Sequence, residues 1–520
     1  MEAIELSLFA SRIEAVCEEM GAALRRAAVS PNIKDRLDFS CAVFDAQGEL
    51  CAQAAHIPVH LGSMAYAMRD VVRRVDWSRG DMVILNDPFL GGTHLPDVTV
   101  VAPLFEGGAC VAFVANRAHH ADIGASTPGS MPLSTSLEEE GLVIPPTFIQ
   151  RAGAPVTEAF QRIVGATGRP DESAADFAAQ ISANRVGLTR LQALVRGLGG
   201  GRFAAALAEL NAYGERLARA ALRALPAGRY EYVDYLDDDG LGQRDIPIAA
   251  TLTVDDGTVA VDFAGTAAQV RGNVNCPLSV AAAAVYYCFR CLMPDYTPAC
   301  AGSFRPITLS APEGSLVNAR PPAAVAAGNV ETSTRVVDVV LGALAKALPE
   351  AVPAASHGSM NNLAMGARAA AAEGGTWDYY ETLGGGMGAG PRGGGLGGVQ
   401  THMTNTLNTP VEALEARYPV RVLRYALRQG SGGAGRRPGG DGVEREYLFL
   451  APATVTLLTE RRRYAPWGLA GGAHGARGEN LLDGEPLPGK FSGRVAAGQR
   501  LTLRTPGGGG WGPAAQQEDA

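Results

Sequence analysis

No apolar run in this chain of 520 residues reaches the roughly 20 residues a membrane-spanning helix needs; stretches such as SVAAAAVYYCF from Ser279 fall well short. Glu2 and Glu5 stand where a signal peptide would carry basic residues before an apolar core, so no signal peptide is expected. A net charge of −8 excludes bulk attraction to nucleic acid or to anionic membrane. The 8 cysteines are scattered and suit reduced thiols in a cytoplasmic protein. Cys288 and Cys291 form a CxxC, but inside a helix-like apolar run where i and i+3 merely share a face. Buried free thiols are expected there; a zinc site recruiting Cys276 and Cys300 is the alternative. No Gly-x-Ser-x-Gly nucleophile elbow is present, and no fixed-period repeat. A phosphate-binding loop is missing too. Gly484 to Phe491 matches the glycines and lysine of one, but Phe491 replaces the Ser/Thr that meets Mg²⁺ and no helix follows. The glycine-dense stretch Gly384 to Gly398 lacks both the GK[ST] ending and a flanking strand and helix.

The length calls for two to four domains, and 65 glycines argue for turns and loops over long helices. Phe9, Ile13, Val16, Cys17, Met20 and Leu24 have helical spacing. A β-hairpin follows, turning at Asp45 to Gly48, then a helix from about Ser63 to Val75 and a strand at Asp81 to Leu85. Residues from about Ser173 to Leu225 read as helical, broken at Gly197 to Gly201. GRYEYVDYL, IAATLTV and TVAVDF read as an antiparallel meander. The expectation is a multidomain α+β fold, with mixed and antiparallel sheets, flanking helices and a β-rich C-terminal part. Its expected regions are an N-terminal metal-site domain (1–170), a middle helical and antiparallel-sheet region (171–350), a Gly-rich and β-rich region (351–505) and a loose tail (506–520).

The densest chemistry lies in Asn86 to Gly124, which holds His94, His119 and His120, three of the 8 histidines, together with Asp87, Asp97 and Asp122. VTVVAPLF and ACVAFVA read as two strands joined by a turn at Glu106 to Gly108. Paired antiparallel, they bring His94 and Asp97, before the first, next to His119, His120 and Asp122, after the second. Imidazoles and carboxylates at one edge of a rigid sheet are what a metal site requires. Asp87 reads as a turn residue before Pro88. His56 and His60 read as structural or substrate-facing. His402, in THMTNTLNTP, sits among hydroxyls and amides suited to turn chemistry or to a polar substrate.

The chain resembles the hydantoinase B family, related to the large subunits of acetone and acetophenone carboxylases, to caprolactamase and to the C-terminal half of 5-oxoprolinases. The resemblance is carried in order by NDPFLGGTHLPDVTVVAPLF, HHADIGASTPGSMP, EEEGLVIPP, GNVETSTRVVDVVLGAL, ETLGGGMGA, THMTNTLNTPVEALE, RQGSGGAG and WGLAGG. It implies a divalent metal (Zn²⁺, Mn²⁺ or Fe²⁺) held by Asp38, His94, Asp97 and His119, with His120 as the alternative to His119. His120, Asp122 and Glu140 are candidates for acid–base or supporting roles. The implied activity is ATP-dependent opening of a cyclic amide such as a hydantoin or lactam. ATP and Mg²⁺ would sit on an A-type partner that phosphorylates the carbonyl oxygen, giving a hetero-oligomer. The alternatives are the large subunit of an ATP-dependent carboxylase and a noncatalytic scaffold for the A subunit.

Overall fold

The computed structural model describes residues 2–54, 56–368 and 376–514. Helix α1 (Ala3–Ala27) buries the stripe its spacing predicts, from Phe9 to Leu24. A short α2 (Pro31–Lys34) leads into β1 (Phe39–Asp45). Asp45 closes the turn to β2 (Leu50–Gln53) by accepting the backbone N–H groups of Gln47 and Glu49. Helix α3 (Pro58–Arg74) begins at Pro58 rather than near Ser63, because proline is preorganised for a first helical turn. Strands β3 (Met82–Leu85), β4 (Asp97–Glu106), β5 (Ala109–His119), β6 (Thr147–Arg151) and β7 (Ala154–Pro155) complete a 7-stranded antiparallel sheet of order β2-β1-β5-β4-β3-β6-β7. Helices α4 (Thr157–Gly165), α5 (Pro170–Leu198) and α6 (Gly200–Leu222) follow, the last two separated at Gly199 as its neighbouring glycines suggest.

Side chains alternate across this sheet. Cys41, Val43, Val98, Val100, Val114 and Ala118 pack into the cluster shared with α1 and α5. Ala42, Phe44, Val83, Val101, Phe113 and Ala115 pack beneath α3. That alternation decides which polar residues at the strand ends meet.

The middle region contains the expected meander, β8 (Gly228–Asp238), β9 (Arg244–Asp255) and β10 (Thr258–Asp262), extended by a parallel β11 (Ile307–Ser310). Helices α7 (Leu278–Arg290), α8 (Ala301–Phe304) and α9 (Ser333–Ala347) accompany it, α9 continuing a π-helical turn at Gly328–Thr332. The C-terminal region holds β12 (Asn362–Ala367), β13 (Trp377–Thr382), α10 (Val411–Arg417), β14 (Val420–Arg428), β15 (Gly442–Phe449), β16 (Ala453–Leu458), β17 (Glu479–Leu482), β18 (Glu485–Leu487), β19 (Lys490–Val495) and β20 (Arg500–Arg504). They form sheets of order β13-β12-β16-β19 and β14-β15-β20-β17-β18. The α+β class with mixed and antiparallel sheets is therefore observed. Buried ion pairs join the last two regions: Arg461 bridges Asp234 and Asp338, while Glu460 holds both Arg335 and Lys490.

One expectation is corrected. The expected loose tail is packed over its first part: Gly507 to Gly512 are buried, while 515–520 of that tail lie outside the described residues. Extended segments around Gly386, Gly433, Gly440, Gly472 and Gly508 pack backbone against backbone. Gly386 N–H donates to Pro506 O (3.0 Å), Gly508 N–H to Gly440 O (2.9 Å) and Gly433 N–H to Gly508 O (2.8 Å). A Cβ on Gly386 would stand 2.0 Å from Gly440 O, and one on Gly508 2.1 Å from Met387 O. Glycine here permits close approach, and its backbone groups are satisfied by neighbouring backbone. The stretch Gly384 to Gly398 belongs to this packing. Lys490 of the phosphate-loop lookalike is buried against Glu460.

Candidate metal centre

Register brings three strand ends together. Phe39 pairs with Ala118, so Asp38 lies beside His119, whose N–H donates to Asp38 O at 3.0 Å. Asp97 pairs directly with His119 across β4 and β5. Cross-strand partners share a face. Asp38, Asp97 and His119 therefore all project on the α3 side, together with Ser40, Thr99 and Arg117. His94 arrives from the turn before β4, where its carbonyl accepts the Asp97 N–H.

Donor atoms of His94, Asp97 and His119 lie within 4.8 Å of one another, and all three residues are buried. Asp97 Oδ1 stands 3.2 Å from His94 Nε2 and 3.2 Å from His119 Nδ1. Asp97 Oδ2 is held from outside by the Thr93 hydroxyl (2.7 Å) and the Asn329 amide (3.2 Å). His94 Nδ1 meets Ala326 O at 3.1 Å. Tyr380 stacks on His119 with ring centroids 4.5 Å apart, and Arg36 lies over the same tyrosine. All three regions thus meet at this point.

Burial alone would raise the Asp97 carboxyl. The imidazoles of His60 and His94, with hydrogen bonds from His119 and His60, outweigh burial and hold it well below its ordinary value. Burial presses His94 down, but Asp97 overcomes it and raises that imidazole, whereas burial wins at His119 and lowers it. Arg117, buried beside the centre, donates to Thr99, Ser63 and the Gly91 carbonyl, and burial lowers its guanidinium to about 10.

The donor set fits a divalent cation. Two imidazoles and one carboxylate suit Zn²⁺, Mn²⁺ or Fe²⁺ with positions left open, while Asp38, beside them, faces Arg36 at 3.6 Å. His94 Nε2 and His119 Nδ1 both turn toward Asp97 Oδ1, and His119 Nε2 is buried without a hydrogen-bond partner.

Other candidates fall elsewhere. His120, one residue past His119, turns to the opposite face, where Nε2 meets Gln180 Oε1 at 3.0 Å and the ring packs on Phe177. It is neither the alternative ligand nor an acid–base group at this centre. The pleat is the reason. Asp122 accepts from the backbone N–H groups of Gly124 (3.1 Å) and Arg169 (2.9 Å) and pairs with Arg368, so it fixes a loop. Glu140 is buried. Its Oε1 accepts from Ser134 and from the N–H groups of Val325 and Ala326, and burial pushes its carboxyl up to about 7. It reaches the centre through Ala326, whose carbonyl meets His94, and by its charge on the His94 imidazole. Asp87 caps its turn through Phe89 N–H, as expected. His56 packs against Phe39 and lines a cavity of about 230 Å³ with Pro58 and Tyr287. The cysteines are free thiols, Cys288 buried as expected but Cys291 exposed, and the described residues contain no cysteine cluster suited to a metal. His402 lines a cavity of about 570 Å³ with Tyr287, Gln400, Thr404 and Pro58. A larger cavity, about 1110 Å³, runs along α1 and touches none of the centre's residues.

His60 also reaches the centre. From the first turn of α3, its Nε2 lies 3.3 Å from Asp97 Oδ1 and 3.9 Å from Asp38 Oδ1. The misplaced helix start hid it: with α3 beginning at Pro58, His60 faces the sheet. Asn329 and Tyr380, from distant segments, gave no local signal.

Buried imidazoles and a carboxylate thus meet at the end of an antiparallel sheet inside an α+β fold of this order. The chain belongs to the Hydantoinase B/oxoprolinase family, whose model matches residues 2–514. It is 40% identical over 545 residues to 5-oxoprolinase 1 of Arabidopsis thaliana, covering 98% of this chain but 42% of that protein. It thus spans less than half of that relative. The crystal structure of ATP-dependent caprolactamase from Pseudomonas jessenii matches 99% of this chain and 91% of that one, at 27% identity and a TM-score of 0.91. The nucleotide-free structure of acetone carboxylase shares the fold, with a TM-score of 0.86 at 17% identity over 98% of this chain and 76% of that one. Among the described residues no helix is long and apolar enough to cross a membrane.

Proposed function

We propose that this chain is the metal-dependent catalytic subunit of a cytoplasmic, ATP-dependent cyclic amidase, a hydrolase of cyclic amide C–N bonds. The observation that carries the reading is the convergence of His94, Asp97 and His119 at one sheet end, with Asp38 on the strand beside His119, in a chain of the oxoprolinase family. Asp38, His94, Asp97 and His119 hold the cation. A divalent ion there supplies Lewis acidity and lowers the pKa of a water it binds. The residues around it fix its geometry. Thr93 and Asn329 orient Asp97, Ala326 orients His94, and Glu140 anchors the peptide that carries the Ala326 carbonyl. Tyr380 covers His119 and excludes water from that side. The 570 Å³ cavity has the size of a small-ligand site, and Pro58 in its wall adjoins the turn bearing His60.

An amide carbonyl is a poor electrophile, and phosphorylating its oxygen turns that oxygen into a leaving group. This chain has no phosphate-binding loop, and it matches less than half of a 5-oxoprolinase. Both support an ATP-using A-type partner in a hetero-oligomer. The test reconstitutes the chain with a hydantoinase A-type subunit, ATP, Mg²⁺ and a divalent metal. The reading expects hydrolysis of hydantoin, 5-oxoproline or caprolactam that requires the metal, the ATP and both subunits. Bicarbonate-dependent consumption of a ketone instead, or turnover unchanged in fully metal-depleted protein, would overturn it.

A further inference from the structure

We infer that His60 is a fifth donor to the cation, making the centre one of three imidazoles and two carboxylates; this rests on the metal-centre reading above. His60 is 2% exposed and stands on the first turn of α3, directly over the ends of β1 and β4. Its Nε2 lies 3.3 Å from Asp97 Oδ1 and 3.9 Å from Asp38 Oδ1. Two ligand atoms about 2.1 Å from one ion and at tetrahedral or right angles to each other are roughly 3.0–3.4 Å apart. The His60–Asp97 spacing falls in that range, as do the His94–Asp97 and His119–Asp97 spacings of 3.2 Å.

The alternative is that His60 merely supports Asp97 by a hydrogen bond, and the two oxygens of Asp97 argue against it. Oδ2 already has its outer partners, Thr93 and Asn329. Oδ1 is the inward atom, and His60 Nε2, His94 Nε2 and His119 Nδ1 all approach it. The donor atoms of His94, Asp97 and His119 lie within 4.8 Å of one another, and His60 Nε2 joins them through Asp97 Oδ1. His60 is also built like His94. Each imidazole keeps one nitrogen for a partner outside the cluster, His94 Nδ1 for Ala326 O at 3.1 Å and His60 Nδ1 for Ser40 Oγ at 3.4 Å, and turns the other inward. Ser40 is itself held by the Ile57 N–H, so the loop entering α3 sets the ring's orientation. Fixing one imidazole nitrogen from outside is how metal-ligating histidines are commonly oriented.

Count the imidazoles by X-ray absorption on the wild-type chain loaded with one equivalent of Zn²⁺ or Co²⁺, and measure affinity by chelator competition in wild type and His60→Gln. Three imidazoles in wild type, two in the variant, and an affinity loss beyond about 100-fold are expected. Outer partners of metal ligands cost only 10–100-fold, so a loss within that range with two imidazoles in both proteins would overturn the inference. The wild-type count decides the matter if the variant fails to fold. Failure of the wild-type chain to take up metal at all would instead sink the underlying centre.

Discussion

Two parts of this protein solve opposite packing problems. At the end of the first sheet, bulky polar side chains are buried: His94, Asp97 and His119 are each at most 3% exposed, surrounded by His60, Arg117 and Glu140. In the C-terminal glycine packing almost no side chains are present, and backbone carbonyls fill the space that Cβ atoms would need. The first region is specified by chemical identity, because each group must be paired or bound to offset its desolvation. The second is specified by the absence of atoms. The first should tolerate isosteric changes in fold while losing function. The second should lose fold on gaining a single methyl group.

The largest stability effect is expected at Gly508→Ala. Its Cβ would meet backbone at 2.1 Å, which the packing cannot relieve by moving a side chain. A loss of about 3 kcal/mol or more, or failure to fold, is expected in urea unfolding; a loss under about 1 kcal/mol would break the comparison. Glu140→Gln sharpens the other side. Burial raises the Glu140 carboxyl to about 7 in the folded chain, against 4.5 when exposed. The wild type therefore loses stability as pH rises from 4.5 through 7, while the glutamine variant has no such titration. In metal-free protein the variant should gain on the wild type by up to about 3 kcal/mol between pH 4.5 and 8. A pH-independent difference would mean that Glu140 is not held as described. A smaller effect separates the two faces of the sheet end. His120→Gln should cost about 1 kcal/mol through lost packing on Phe177 and leave metal affinity within about 3-fold, while His119→Gln should lower that affinity by more than about 100-fold. Equal effects on metal would contradict the assignment by pleat. The smallest effect is expected at Gly393→Ala. An added Cβ meets nothing within 4 Å, so stability should stay within about 0.5 kcal/mol in the same urea assay.

Much of the centre was legible in the chain. The two strands of Asn86 to Gly124, their turn and the adjacency of Asp97 to His119 follow from apolar runs and a Glu-Gly-Gly turn. The choice between His119 and His120 was not, because alternation assigns neighbours to opposite faces without saying which face is covered by α3. His60 was obscured by a helix start placed near Ser63, a boundary set by one proline. Tyr380 and Asn329 reach the centre from segments more than two hundred residues away in sequence, a convergence no local pattern encodes. The glycine packing was misread for the opposite reason. Gly-rich sequence ordinarily signals a flexible chain, and only the neighbouring backbones show why Gly507 to Gly512 are buried.

The central claim is that one divalent cation is held at His94, Asp97 and His119, with Asp38. Stoichiometric Zn²⁺ titration of the chelator-treated chain, with Asp97→Ala in parallel and both folds checked by circular dichroism, tests it most directly. One equivalent bound by the wild type and none retained by a folded Asp97→Ala is the expected result. No uptake by the wild type, or equal uptake by the variant, would contradict it.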